Sequence, residues 1–191
     1  LVLATKTYDT AAAIDAVRHM TIGSVFSIQN GVMKNSQLAE AFGEGAVLGA
    51  VGMLGGAVQA DGAANYMMAN PIIIGELSGQ DSARVEEITA QLKSAGLPAG
   101  ASSHILTEEW SKFVGWLGLS ALAVLTRAET WKFLADPDSA RIVARIMREA
   151  AQLPQQMDIP LKSGPPFELE LVTSLSEDEV VALLQQRGQA Q

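Results

Sequence analysis

The chain of 191 residues contains no cysteine, so disulfides and thiolate metal sites are excluded, and an intracellular life is compatible with its composition. Its two histidines, His19 and His104, are too few for a histidine-rich metal centre, and no metal site is expected. Positive charge is also scarce. Thirteen Lys and Arg against 21 Asp and Glu give a net charge of -8, with a pI of about 4.7. That balance argues against nucleic acid and against an anionic membrane surface as partners, while leaving room for a local basic pocket. Long hydrophobic runs are missing too. The uncharged stretches from Phe113 to Thr126 and from Gly45 to Ala60 both fall short of the roughly 20 residues that span a bilayer. No signal-peptide pattern, glycine-rich GxGxxG turn, nucleophile elbow or P-loop is visible.

What is present is a chain that can bury a core. Hydrophobic residues make up 48% and charged residues 18%, the balance of one large globular domain or two small ones. The chain begins inside the apolar run Leu1-Val2-Leu3-Ala4, without methionine, and ends in the polar stretch Gln185 to Gln191. A piece of a longer protein is therefore the expectation.

Short strands and helices alternate in the first half. Leu1 to Thr5, Ser24 to Ile28 and Ala46 to Val51 read as strands. Between them lie a helix capped by Thr10, the Asn30-Gly31 turn and a helix near Ser36 to Phe42. Asn65 to Ala69 and Pro71 to Glu76 read as two strands split by the Asn-Pro step. Asp81 is the expected cap of a helix stopped by Gly96, and Pro98 to Ser102 is an edge strand. The alternation predicts a parallel α/β sheet. Near residue 103 the pattern changes to helices alone. Thr107 is the expected cap of the Trp110 helix, with Glu108 and Glu109 favouring its macrodipole. Asp136-Pro137 opens another helix, Pro154 to Pro166 reads as a linker, and Ser176 to Glu179 is a capping box. The fold class is α/β followed by all-α, with units at 1–103 and 104–191.

Lys112 stands at the head of the uncharged helix segment, where a half-buried ammonium is costly without a partner. Lysines that deliver protons occupy such places, because burial pulls the pKa toward the working pH. The plainer alternative is a stem lying over the core with its charge paired to Glu108 or Glu109. Lys112, Trp116 and Ser120, spaced i, i+4 and i+8, share one helix face, and Thr130 extends that face if the helix continues so far. Lys6 and Asn30 each follow a strand, the position where ligands bind in open α/β sheets. A solvated strand end and a simple turn explain them equally well. Gly49, Gly52, Gly55 and Gly56 could admit a close backbone approach to a cofactor. Trp110, Trp116 and Trp131 read as core or interface residues, and Glu86-Glu87 as a solvated face.

Three motifs, in order and separation, carry a resemblance: Ala4-Thr5-Lys6-Thr7, Ser27-Ile28-Gln29-Asn30-Gly31-Val32 and Trp110-Ser111-Lys112-Phe113. With Ile74-Gly75-Glu76 and Arg148-Glu149-Ala150, they resemble the ketopantoate reductase (2-dehydropantoate 2-reductase) family, over nearly all of this chain and the middle of the family's length. The resemblance implies a Rossmann-type NADP-binding domain, of which residues 1–103 are the second part. It implies that residues 104–191 form a helical substrate and dimerisation domain, with a homodimer compatible. The implied reaction is NADPH-dependent reduction of ketopantoate to pantoate, for pantothenate, in the cytoplasm. Lys112 then resembles the proton donor, Lys6 and Asn30 the cofactor contacts, Asn30 also a substrate contact, and Gly55 a backbone position against the cofactor. Substrate contacts are further implied at Lys112, Trp116, Ser120 and Thr130.

Family members carry asparagines where this chain has Trp116, Ser120 and Thr130. The two hydroxyls can still hydrogen-bond, but an indole cannot replace an amide, so a related 2-oxo acid is the alternative substrate. The glycine-rich turn belongs upstream of Leu1 and a serine and glutamate beyond Gln191, so the 191 residues alone are expected to bind NADPH poorly and to be inactive. Two other readings stand beside this one: a silent helical dimerisation or binding module, and a hydroxy-acid or opine-type dehydrogenase.

Overall fold

A computed structural model of the chain describes residues 1–164 and 168–189. The chain divides into two compact units, Leu1–Glu109 and Trp110–Gln191.

In the first unit, β1 (Val2–Leu3) pairs in parallel with β2 (Phe26–Ser27), in the register Val2↔Phe26 and Leu3↔Ser27. A parallel bridge from Val25 to Val47 carries the pairing on to β3 (Leu48–Val58). The next strand, β4 (Ala64–Glu76), runs antiparallel to β3, and β5 (Ala99–Ala101) runs parallel to β4. The sheet region is thus mixed, not wholly parallel. The reason is the link between β3 and β4, five residues long, which makes a hairpin where a helical crossover would be needed for parallel pairing. Gly62, at φ 84°, and Asp61, which accepts a hydrogen bond from the Ala63 amide, shape that turn. The Asn-Pro step does not split β4 either. A register shift between Gly52↔Ile72 and Leu54↔Ala69 sets Asn70 and Pro71 in a bulge, where a missing N–H is tolerated.

Side-chain alternation explains the two faces. Leu3, Val25 and Val47 join Ile14 of α1 (Thr10–Val17) and Leu38 of α2 (Lys34–Phe42) in one core. Phe26, Leu48, Ile72 and Ile74 join Val85 of α3 (Ala83–Ser94) in another. Helices thus cover both faces, as a doubly wound Rossmann-like region requires. The cap of α3 is Ser82 and not Asp81; its hydroxyl accepts from the Val85 amide while donating to Glu76. Gly96, at φ 84°, ends the helix as expected. Gly49 and its cross-strand partner Gly75 form a notch for Ile105. A Cβ on Gly49 would lie 2.7 Å from Ile105 Cγ1, and one on Gly75 would collide with the Ser102 carbonyl. Gly49 therefore receives protein, not a cofactor.

The helix α4 (Ile105–Thr126) starts two residues before the expected cap, placing Thr107 in its first turn. In the second unit it is followed by α5 (Thr130–Ala135), α6 (Pro137–Gln156), α7 (Leu169–Ser174) and α8 (Glu177–Gln189). Val114, Leu122, Val143, Met147, Val172 and Val180 are central to the core. Gly118 lets α4 approach the backbone of α6, since a Cβ there would lie 2.9 Å from the Val143 carbonyl. Asp136 caps α6, accepting from the Ser139 amide at 2.8 Å, with Pro137 in the first turn. Pro154 lies within the end of α6, so the linker begins later than its sequence suggests; Pro165 and Pro166 lie outside the described residues. Ser176 and Glu179 make the reciprocal capping-box bonds, and α8 continues through the polar stretch to Gln189. Trp116 and Trp131 are 38% and 46% exposed, so neither enters the core. Among the described residues, no helix is long and apolar enough to cross a membrane.

Candidate functional site

The parallel register of β1 and β2 decides where Lys6 and Asn30 fall. Each follows the pair Leu3↔Ser27 by three residues, so both stand exposed just beyond adjacent strand ends. Gln29 ties those ends together. Its Nε2 lies 2.8 Å from the Thr5 carbonyl, 3.3 Å from the Lys6 carbonyl and 3.0 Å from the Thr10 hydroxyl. Its Oε1 accepts from the buried Ser27 hydroxyl at 3.1 Å. Thr10, read from sequence as a helix cap, serves this clasp instead, and no side-chain cap bond is made at the start of α1. Gly31, at φ 93°, occupies backbone space that side-chain-bearing residues rarely enter, which lets the chain turn directly after Asn30.

Gly55 stands elsewhere on β3. Counting along the parallel bridge Val25↔Val47 brings Gly52 level with Asn30, and Gly55 lies three residues further on, roughly 10 Å by strand rise.

In the second unit, Val114, Gly118 and Leu122 form the buried stripe of α4. Lys112, Trp116 and Ser120 precede these by two residues each and so lie about 200° away around the helix. Lys112 is half-buried; Trp116 and Ser120 are exposed. Thr130 does not extend this face. The helix ends at Thr126, Arg127 takes φ 52°, and Thr130 begins α5. Ser111, beside Lys112, is buried and accepts from the Lys162 amide at 2.9 Å.

One group of charged residues escaped the sequence reading. Glu109 does not serve only the helix dipole. Its Oε1 accepts from Lys34 Nζ at 2.6 Å and from the Ala50 amide at 3.0 Å, and its Oε2 accepts from Asn35 Nδ2 at 2.6 Å. Lys34 also donates to the Ala50 carbonyl at 2.5 Å. Lys34, Asn35 and Glu109 are 4%, 7% and 5% exposed. No local signal announced the pair, because its members are 75 residues apart.

A nicotinamide dinucleotide asks for cations and amides near its phosphates and riboses, and Lys6 and Asn30 offer that donor set at adjacent strand ends. The glycine-rich phosphate turn is not among the 191 residues. Among the described residues, no cluster of three or more acidic or imidazole side chains could hold a metal ion.

Fold and site together define a Rossmann-like sheet-and-helix region followed by an all-helical domain. Residues 1–79 match the family Ketopantoate reductase PanE/ApbA, and residues 104–190 match Ketopantoate reductase PanE/ApbA C terminal. The chain belongs to the ketopantoate reductase family. It is 28% identical to a 2-dehydropantoate 2-reductase of Pyrococcus abyssi over 84% of its own length and 54% of the relative's. With a 2-dehydropantoate 2-reductase of Archaeoglobus fulgidus it shares 26% identity over 80% and 51%. The chain thus spans about half the length of the curated relatives it matches. Among solved structures, 2-dehydropantoate 2-reductase from Geobacter metallireducens shares the fold, with TM-score 0.78, 22% identity and coverage of 98% and 60%. A complex of D-mandelate dehydrogenase with NADH does so with TM-score 0.76, 15% identity and coverage of 97% and 58%.

Proposed function

We propose that the protein reduces a 2-oxo acid, ketopantoate or a close relative, to the 2-hydroxy acid with NADPH, in pantothenate synthesis in the cytoplasm. Family membership over both parts of the chain, with Lys112 in its expected motif, is the observation that carries this reading. On this reading residues 1–103 belong to the NADP-binding domain and residues 104–191 to the substrate and dimer domain.

The nicotinamide, when bound, supplies the hydride to the ketone carbon. Lys6, Asn30 and the Gly55 backbone hold the cofactor, Lys6 through its charge and Asn30 through its amide. The ammonium of Lys112 faces the negative charge that grows on the ketone oxygen, lowers its energy, and then gives up a proton from Nζ. Asn30 and Ser120 hydrogen-bond the substrate, and Thr130, off the α4 face, is left out of the contact set. Trp116 flanks it with an apolar ring.

That indole favours a second substrate over ketopantoate. Trp116 is exposed one turn beyond Lys112, where the family resemblance calls for an amide, so a 2-oxo acid that presents an apolar group there in place of a hydrogen-bonding one suits the position better. NADPH oxidation by the complete gene product against a panel of 2-oxo acids tests both. Replacing Lys112 with Ala is expected to lower turnover by about 10²–10⁴-fold while cofactor affinity holds. Unchanged turnover would remove Lys112 from the chemistry, and no substrate-dependent rate with any 2-oxo acid would favour the silent module.

A further inference from the structure

A buried ion pair is weak evidence for stability, because well-packed apolar replacements are often neutral or stabilising. Lys34 and Glu109 therefore call for another explanation, and their place in the helix provides one. Apolar contacts are non-directional, and α4 carries no charge from Phe113 to Thr126. Packing of Val114, Gly118 and Leu122 in the helical core holds the later turns of this helix, and something specific must fix its first turns. Two side chains on one face of its first turns do so. Ile105 plugs the notch between Gly49 and Gly75, which sets depth. Glu109, four residues on, engages Lys34 and Asn35 of α2 and the Ala50 amide of β3, which sets rotation. A carboxylate held from two elements tolerates little turning, since each of its bonds weakens steeply with angle.

We infer that the Lys34–Asn35–Glu109 cluster is a positioning device for Lys112, fixing the rotation of α4 so that the lysine leaves the helix in its working direction. The inference rests on the proposed role of Lys112 as proton donor. Lys112 is three residues past Glu109, about 4.5 Å along the axis. A rotation of roughly 10° moves a point about 6 Å from the axis by about 1 Å, and misplacements of that size can cost about 100-fold in rate.

The test is a mutant cycle on the complete gene product, reading NADPH oxidation with ketopantoate or the best acid of the panel. Lys34→Met with Glu109→Leu removes both charges together. Expected are a fold that stays cooperative, with a thermal midpoint lowered only by the lost acceptor of the Ala50 amide and Asn35 Nδ2, NADPH affinity within about twofold, and kcat down by about 10–100-fold. Added to Lys112→Ala, the same pair should cause no further loss, because the direction of an absent amine has no effect. Full kcat in the folded double variant, or losses that simply multiply in the triple variant, overturns the inference. So does a collapsed thermal midpoint, which would make the pair a support of the fold. If Lys112→Ala alone is fully active, the reading of Lys112 fails, a result distinct from any of these.

Discussion

Gln29 brings two donors and two acceptor sites to the point where β1 and β2 end, and its neighbours determine which way round its amide sits. The Thr5 and Lys6 carbonyls can only accept, so the NH2 must face them, and the Oε1 is left for the Ser27 hydroxyl. Replacing Gln29 with Leu takes away the acceptor of the buried Ser27 hydroxyl and the side-chain partner of the buried Thr10 hydroxyl, at a cost of about 1–3 kcal/mol in unfolding free energy. Urea titration measures this as a lower midpoint, and an unmoved midpoint would show that the clasp is dispensable. The motif around Gln29 was legible in the sequence, as were Lys6 and Asn30 at strand ends. The clasp itself was not, since it depends on the parallel register of two strands far apart in the chain.

At the scale of elements, the helices of the second unit are joined by charge as well as by packing. Glu177, at the start of α8, accepts from Arg145 and from Arg141, both on α6. The bonds from Arg145 and then Arg141 hold its carboxyl at about 2, well below the usual carboxylate range. Unfolding releases it to an ordinary value of about 4.3. The stabilisation is thus fully present above that value and disappears as pH falls through about 2. Comparing thermal midpoints of the parent and Glu177→Gln across pH tests this. The gap between them should be constant above about pH 5 and close toward pH 2, and a gap independent of pH refutes it. The capping box beside Glu177 and the Asp136-Pro137 start were readable because caps are local. By contrast, α5 and α7, six residues each, are too short to show a helical period. The antiparallel turn of β3 onto β4 was hidden too. An Asn-Pro step looks like a break until a bulge is seen to absorb it.

Over the whole molecule, the sequence conveyed an α/β part, a helical part and a lysine at the head of α4. It did not convey the charged cluster at the base of that helix, because charge pairing across 75 residues has no local periodicity. That cluster places one backbone amide in an unusual position. Ala50 lies in β3, yet its N–H is bonded to the Glu109 side chain from a different element. Its exchange with deuterated solvent should therefore follow the undocking of the first turns of α4, while amides bonded within the β3–β4 ladder follow the opening of the sheet. Hydrogen exchange read by NMR is expected to show Ala50 speeding up selectively when Glu109 is replaced, with the ladder unchanged; equal acceleration of both would refute it. The protein thus carries, at one strand position, its own clock for the seating of a helix.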